Sequence, residues 1–216
     1  MNRKQLHSIL LIISITYSGC VYAKYHDYAS QNQNIAEETI KRLKGDTLLV
    51  VIPTFQEKER IFKSANPRTA PEKKKVNQRL LNLYAERQIE MESIIDAFEE
   101  LYTFSEVVYL PDSLVKPFEA GRPDIVFTNS DYKPDPSIKL HNRTPIKLLK
   151  QFDQEWQIKI GTSMVPNPFP NYYLYRNGLF GFLGSEKYDQ MYRRVVVVFQ
   201  RRFEKFYQNP EGRVRL

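Results

Sequence analysis

The feature that most limits the fold is one uninterrupted helical pattern of about thirty residues, from Pro71 to about Tyr102. It begins on Thr69-Ala70-Pro71-Glu72, a capping box in which Thr69 accepts from the amide three residues on and Glu72 reaches back. Leu80, Tyr84, Met91, Ile94, Phe98 and Leu101 recur at spacings of three, four and seven, which makes one face apolar. At ~1.5 Å per residue this helix is ~45 Å long, more than a compact domain needs. Its N-terminal part, with Lys73, Lys74, Lys75 and Arg79, is expected to project into solvent.

Aliphatic runs flank the helix. Leu48-Leu49-Val50-Val51-Ile52, closed by Pro53, reads as a strand buried on both faces. Glu106-Val107-Val108-Tyr109-Leu110 before Pro111 reads as the next strand, and Pro123 to Asn129 as another. Strand, long helix, strand is a βαβ pattern. A short helix around Ile35, Ile40 and Leu43 stops at Gly45, and a charged helix spans Phe55 to Asn66. Later, Ile138-Lys139-Leu140, Trp156 to Ile160 and Tyr172 to Tyr175 are candidate strands, with Pro166, Pro168 and Pro170 breaking the chain between the last two. From Tyr188 to Gln208, four consecutive valines argue for a strand, but Val195, Phe199, Phe203 and Phe206 follow helical spacing. The reading is an α/β fold: a single domain over residues 24–210 and a tail at 211–216. A mixed β-sheet is packed by helices, with the long one between the first two strands and another at the C-terminus.

Residues 1–23 read as an export signal. Arg3-Lys4 precedes the apolar run Ile9 to Ile15, followed by small and polar residues ending Val21-Tyr22-Ala23. The run is too short to span a bilayer, which takes ~20 apolar residues. Two processing routes stay open. Cleavage before Lys24 would release a soluble protein, whereas lipidation at Cys20, which follows Ser18-Gly19, would make a lipoprotein held by its acyl chains. The chain is therefore expected to be exported, in the periplasm or associated with the outer membrane.

Removing the leader leaves 30 basic residues against 25 acidic ones, about +5. Export makes nucleic acid an improbable target for that charge. Cys20 is the only cysteine, so the mature chain has no disulfide, no thiol nucleophile and no cysteine metal site. His26 and His141 stand alone, without a second ligand at metal spacing and without the Gly-x-Ser-x-Gly elbow of a hydrolase triad. Gly178 to Gly184 lacks the strand and the Lys-Ser/Thr ending of a phosphate loop, and Asp131 with Asp135 reads as a turn. No catalytic residue, metal site or cofactor is expected.

The most suggestive surface is aromatic. Phe169, Tyr172, Tyr173, Tyr175, Phe180 and Phe182, with Arg176, gather among three prolines. Such rings with polar tips suit a glycan, a peptide or a protein partner. Arg193, Arg194, Arg201 and Arg202 form a second candidate, a basic terminal helix for acidic headgroups or an acidic partner, although such residues are usually the solvated side of an amphipathic helix.

Several of these pieces resemble a family of exported, uncharacterised proteins of Bacteroidetes-type bacteria. They are the leader, Lys44 to Val51, the long helix leading into Phe104 to Tyr109, Asn167 to Tyr173, and the close Phe203-Glu204-Lys205-Phe206-Tyr207. The resemblance implies a bacterial envelope protein and carries no catalytic residues. The function expected is a non-catalytic binding or assembly-accessory module of the cell envelope. The alternative is a metal-independent glycan hydrolase using paired carboxylates, marked by two carboxyl groups about 5–10 Å apart in a cleft.

Overall fold

Aliphatic residues in β1 (Thr47–Ile52) alternate between two covered faces, and this strand is the centre of the molecule. A computed structural model describes residues 30–140, 145–150, 155–166, 168–169, 172–174 and 186–210. Helix α1 (30–44) precedes β1, and α2 (Gln56–Ser64) and α3 (Ala70–Leu101) follow it. The chain then runs through β2 (Glu106–Pro111), a 3₁₀ turn at Asp112–Leu114 and α4 (Val115–Glu119). Five strands come next: β3 (Phe127–Thr128), β4 (Pro134–Asp135), β5 (Ile146–Lys150), β6 (Glu155–Ile160) and β7 (Ser163–Met164). The described chain closes with β8 (Tyr172–Leu174) and α5 (Glu186–Gln208).

These strands form one mixed sheet in the order β4-β3-β2-β1-β5-β6-β7, with β8 also paired to β6. Its centre is parallel, because β1 pairs in parallel with β2 on one side and with β5 on the other. Every other pairing is antiparallel. The α/β fold, the long helix between β1 and β2, and the C-terminal helix are as the sequence implied.

Period-two alternation assigns the two faces. Leu48, Val50 and Ile52 of β1, Tyr109 of β2, Ile146 and Leu148 of β5, and Trp156 and Ile158 of β6 join one core with α1, α3 and α5. The opposite face is thinner: Leu49, Leu110 and Phe127 are covered by Leu114, Val115, Phe118, Ile125, Ile138 and Leu140. Helices α3 and α5 are parallel, since their partners advance together: Glu86 with Tyr188, Glu90 with Tyr192, Tyr102 with Phe203.

Some expectations need correction. The first helix starts earlier than the apolar pattern around Ile35 implies, since residues 30–34 are also helical. The strand read at 123–129 shrinks to Phe127–Thr128, because it meets β2 only at the Tyr109–Thr128 pair. Ile138 and Leu140 form no strand; they cover the thin face by side-chain packing alone. Strand β5, Ile146–Lys150, adds a strand that the sequence pattern does not mark. The buried stripe of α3 is also rotated from the expected one. It runs through Leu83, Glu90, Ile94, Ala97 and Phe98, while Leu80, Tyr84, Met91 and Leu101 lie at its margin, partly exposed.

Candidate functional site

Glu90 is an acid on an apolar stripe, seven residues after Leu83 and four before Ile94, so the helix turns it inward. It is 1% exposed. An uncompensated carboxylate there would be strongly unfavourable, and two neighbours compensate it. Lys150, the last residue of β5, lies on the same sheet face as Ile146 and Leu148 and places its Nζ 2.6 Å from Glu90 Oε1. The hydroxyl of Tyr192 donates to the same oxygen and accepts from Lys150 Nζ at 3.1 Å. The cluster therefore ties β5, α3 and α5 together at the level where β5 ends.

A second rung lies one helical turn earlier. Glu86 and Glu90 are four apart on α3, and Tyr188 and Tyr192 are four apart on α5, so the pairs meet side by side. The Tyr188 hydroxyl donates to Glu86 at 2.9 Å. The two tyrosine rings stack, 6.3 Å apart and 11° from parallel, and Trp156 meets Tyr192 edge-on at 5.7 Å. Burial, then the charge and hydrogen bond of Glu90, raises the Tyr192 hydroxyl well above the ordinary tyrosine range. Tyr188 is raised in the same direction, by burial first and Glu86 second. Both phenols stay protonated donors, unsuited to act as base or nucleophile.

Little in the local sequence pattern marks this cluster. An acid at a position where the period demands an apolar side chain was the available signal for Glu90. Nothing local marked Lys150, because a lysine in a short run reads as solvent-facing.

The aromatic surface read from the sequence fares differently residue by residue. Phe169 is fully buried, which corrects its assignment to a recognition surface. It stacks on Phe203 at 5.5 Å and meets Phe206 edge-on at 5.2 Å. The reason is the turn at Pro166: the Phe169 amide donates to its carbonyl at 3.3 Å, while the Val165 amide donates to Ile158 at 3.2 Å, folding the segment inward. Tyr172 and Tyr173 lie on β8, in register with Gln157 and Trp156. Tyr175, Arg176, Phe180, Phe182, Cys20, His26, His141 and the glycines at 178–184 lie outside the described residues.

The basic terminal helix is half neutralised. Arg193 pairs with Glu100 at 2.5 Å and Asp189 at 2.9 Å, and Arg202 is buried, its guanidinium over Phe199. Arg194 and Arg201 are exposed. Asp135 is occupied by its own turn, accepting from the Ser137 amide at 2.8 Å and from the Ser137 hydroxyl at 2.6 Å.

The C-terminal ends of β1, β2 and β5 emerge at one edge, the edge where open α/β sheets bind ligands beside the point at which strand order reverses. Phe55 there adopts a left-handed backbone, φ 56°, unusual for a bulky residue. The Thr54 amide and hydroxyl both donate to Asp112 Oδ1, the amide at 3.1 Å, joining the ends of β1 and β2. No group of three or more His, Cys, Asp or Glu suited to a metal occurs among the described residues. Comparison with protein-family models, curated proteins and solved structures finds no match.

Proposed function

We propose that this chain is an exported cell-envelope protein acting as a non-catalytic binding or assembly-accessory module. The observation that carries the non-catalytic part is the closure of the Glu90–Lys150–Tyr192 cluster. Its carboxylate, ammonium and hydroxyl satisfy one another, and Glu86 and Tyr188 do the same one turn away. A glycan hydrolase needs two carboxylates facing substrate, one able to give up a proton. Glu86 and Glu90 are instead acceptors for tyrosine hydroxyls that bind three elements of the fold. The export part is supported by the leader at residues 1–23, with cleavage before Lys24 or lipidation at Cys20 as its two routes. The binding face proposed comprises Tyr172, Tyr173, Tyr175, Arg176, Phe180 and Phe182, for an envelope protein or a glycan or peptide ligand.

The test is affinity purification of the tagged chain from envelope fractions, with intact-mass measurement of the product. A mass beginning at Lys24 or an acylated Cys20, together with a co-purifying envelope component, supports the proposal. An unprocessed chain in the cytoplasmic fraction overturns export. Release of fragments from purified envelope glycan, abolished by Glu90→Gln, overturns the non-catalytic reading.

A further inference from the structure

The first third of α3 leaves the body of the protein. All of residues 70–82 are exposed except Val76 and Leu80, which are half-buried. The first residue of α3 to enter the core is Leu83. At ~1.5 Å per residue the helix therefore overshoots by about 20 Å, roughly the length of a six-residue strand. Helix α2, which has no buried residue of its own, packs against α3. Glu59 joins α2 to α3 just beyond the extension, accepting from Tyr84 at 2.9 Å with the Arg87 guanidinium 4.0 Å away.

The α3 side of the arm is strongly cationic, while α2 adds Lys58, Arg60 and Lys63 against Glu57 and Glu59. From Ala65 to Asn82 stand Arg68, Lys73, Lys74, Lys75 and Arg79 against a single acid, Glu72. Glu72 is occupied in the capping box, its carboxylate accepting from the amides of Arg68 at 2.8 Å and Thr69 at 3.1 Å. None of the five cations pairs with a carboxylate among the described residues, whereas Arg193 on α5 pairs with two. Leu81 and Ile61 stand among them, 61% and 53% exposed. Lys74 and Leu81, seven residues apart, share one face of the helix.

We propose that this arm, α2 with residues 70–82 of α3, docks on an anionic lipid surface. Two observations favour lipid over an acidic protein. Three consecutive lysines fan over about 200° of the helix circumference, too wide an arc for one matched carboxylate patch, whereas mobile anionic headgroups can gather beneath each flexible ammonium. An exposed leucine beside a lysine is the amphipathic pattern that sinks an apolar side chain below the headgroups while the ammonium stays among them. Contact is superficial, since no helix among the described residues is long and apolar enough to cross a membrane. The proposal does not rest on export.

The experiment is co-sedimentation of the full chain with vesicles of phosphatidylglycerol and phosphatidylethanolamine, and with vesicles of phosphatidylcholine alone. Using full chains throughout keeps any contribution of the leader constant. Circular dichroism checks that each variant is folded. The triple variant K73E/K74E/K75E is expected to lower partitioning onto the anionic vesicles by about a hundredfold, at ~1 kcal/mol per lysine. L81S is expected to lower it several-fold, and R194E/R201E on α5 to leave it within twofold. Equal partitioning of the wild-type chain onto both vesicle types overturns the proposal. So does an equal loss in R194E/R201E, or sedimentation with a second copy or an acidic protein that the triple variant abolishes while vesicle partitioning is unchanged.

Discussion

The two parts of α3 obey different rules. Residues 70–82 are cationic and almost wholly exposed, while Leu83 to Leu101 are gripped by the sheet and by α5. In the gripped part, polar and aromatic contacts succeed one another along the parallel helices. Glu86 and Glu90 meet Tyr188 and Tyr192, then Phe98 packs on Tyr102, which meets Phe203 edge-on at 6.1 Å. Phe203 is held between Phe104 and Phe169, stacked at 5.3 and 5.5 Å. Gln200 of α5 accepts from the Thr103 and Phe104 amides just beyond the end of α3, at 3.0 and 3.2 Å. One continuous helix thus serves two purposes, and its length is explained by the arm and not by the crossover.

That contrast can be broken at graded strength. Phe203→Ala removes the ring between Phe104 and Phe169 and is expected to cost about 3–5 kcal/mol in denaturant unfolding. Glu90→Ala leaves the Lys150 ammonium and Tyr192 hydroxyl without their acceptor. Because Lys150 keeps some solvent contact, the expected loss is about 2–3 kcal/mol by the same measurement. Thr69→Ala should remove about 1 kcal/mol of helix stability, read as faster amide exchange confined to the first turns of α3. K73E/K74E/K75E should move the global unfolding midpoint least, by less than about 0.5 kcal/mol.

Two tyrosines that hold the gripped part, Tyr192 of α5 and Tyr109 of β2, also titrate. Folding raises the hydroxyls of Tyr192 and Tyr109 above the ordinary tyrosine range, chiefly through burial. The unfolded chain loses those protons near pH 10 and the folded one keeps them, so their contribution is complete below about pH 10 and declines as pH rises beyond it. Stability measured from pH 8 to 11 should be level and then fall, and the fall should be shallower in Tyr192→Phe.

How far these parts could be read in advance follows from their chemistry. The capping box at Thr69 and Glu72 is present as expected, because its residues act within one turn. Strand β1, the long helix and β2 were legible through breakers and periodicity, and the aromatics of α5 outweighed its valines. Strand β5 was hidden by Lys147 and Lys150, which point to opposite covered faces. Lys147 is 2% exposed and pairs with Glu119 of α4, while Lys150 pairs with Glu90 of α3. Those neutralising partners are 28 and 60 residues away, beyond any local pattern. Phe169 misled for a related reason: an aromatic among prolines looks like a surface until the chain is seen to fold beneath α5.

Amide hydrogen exchange along α3 in the isolated chain tests this division most directly. Residues 70–82 are expected to exchange through local opening at least about a hundredfold faster than residues 90–101, which should exchange only with global unfolding. Uniform protection from Ala70 to Leu101 would contradict the account, because the whole helix would then be one cooperative part of the core.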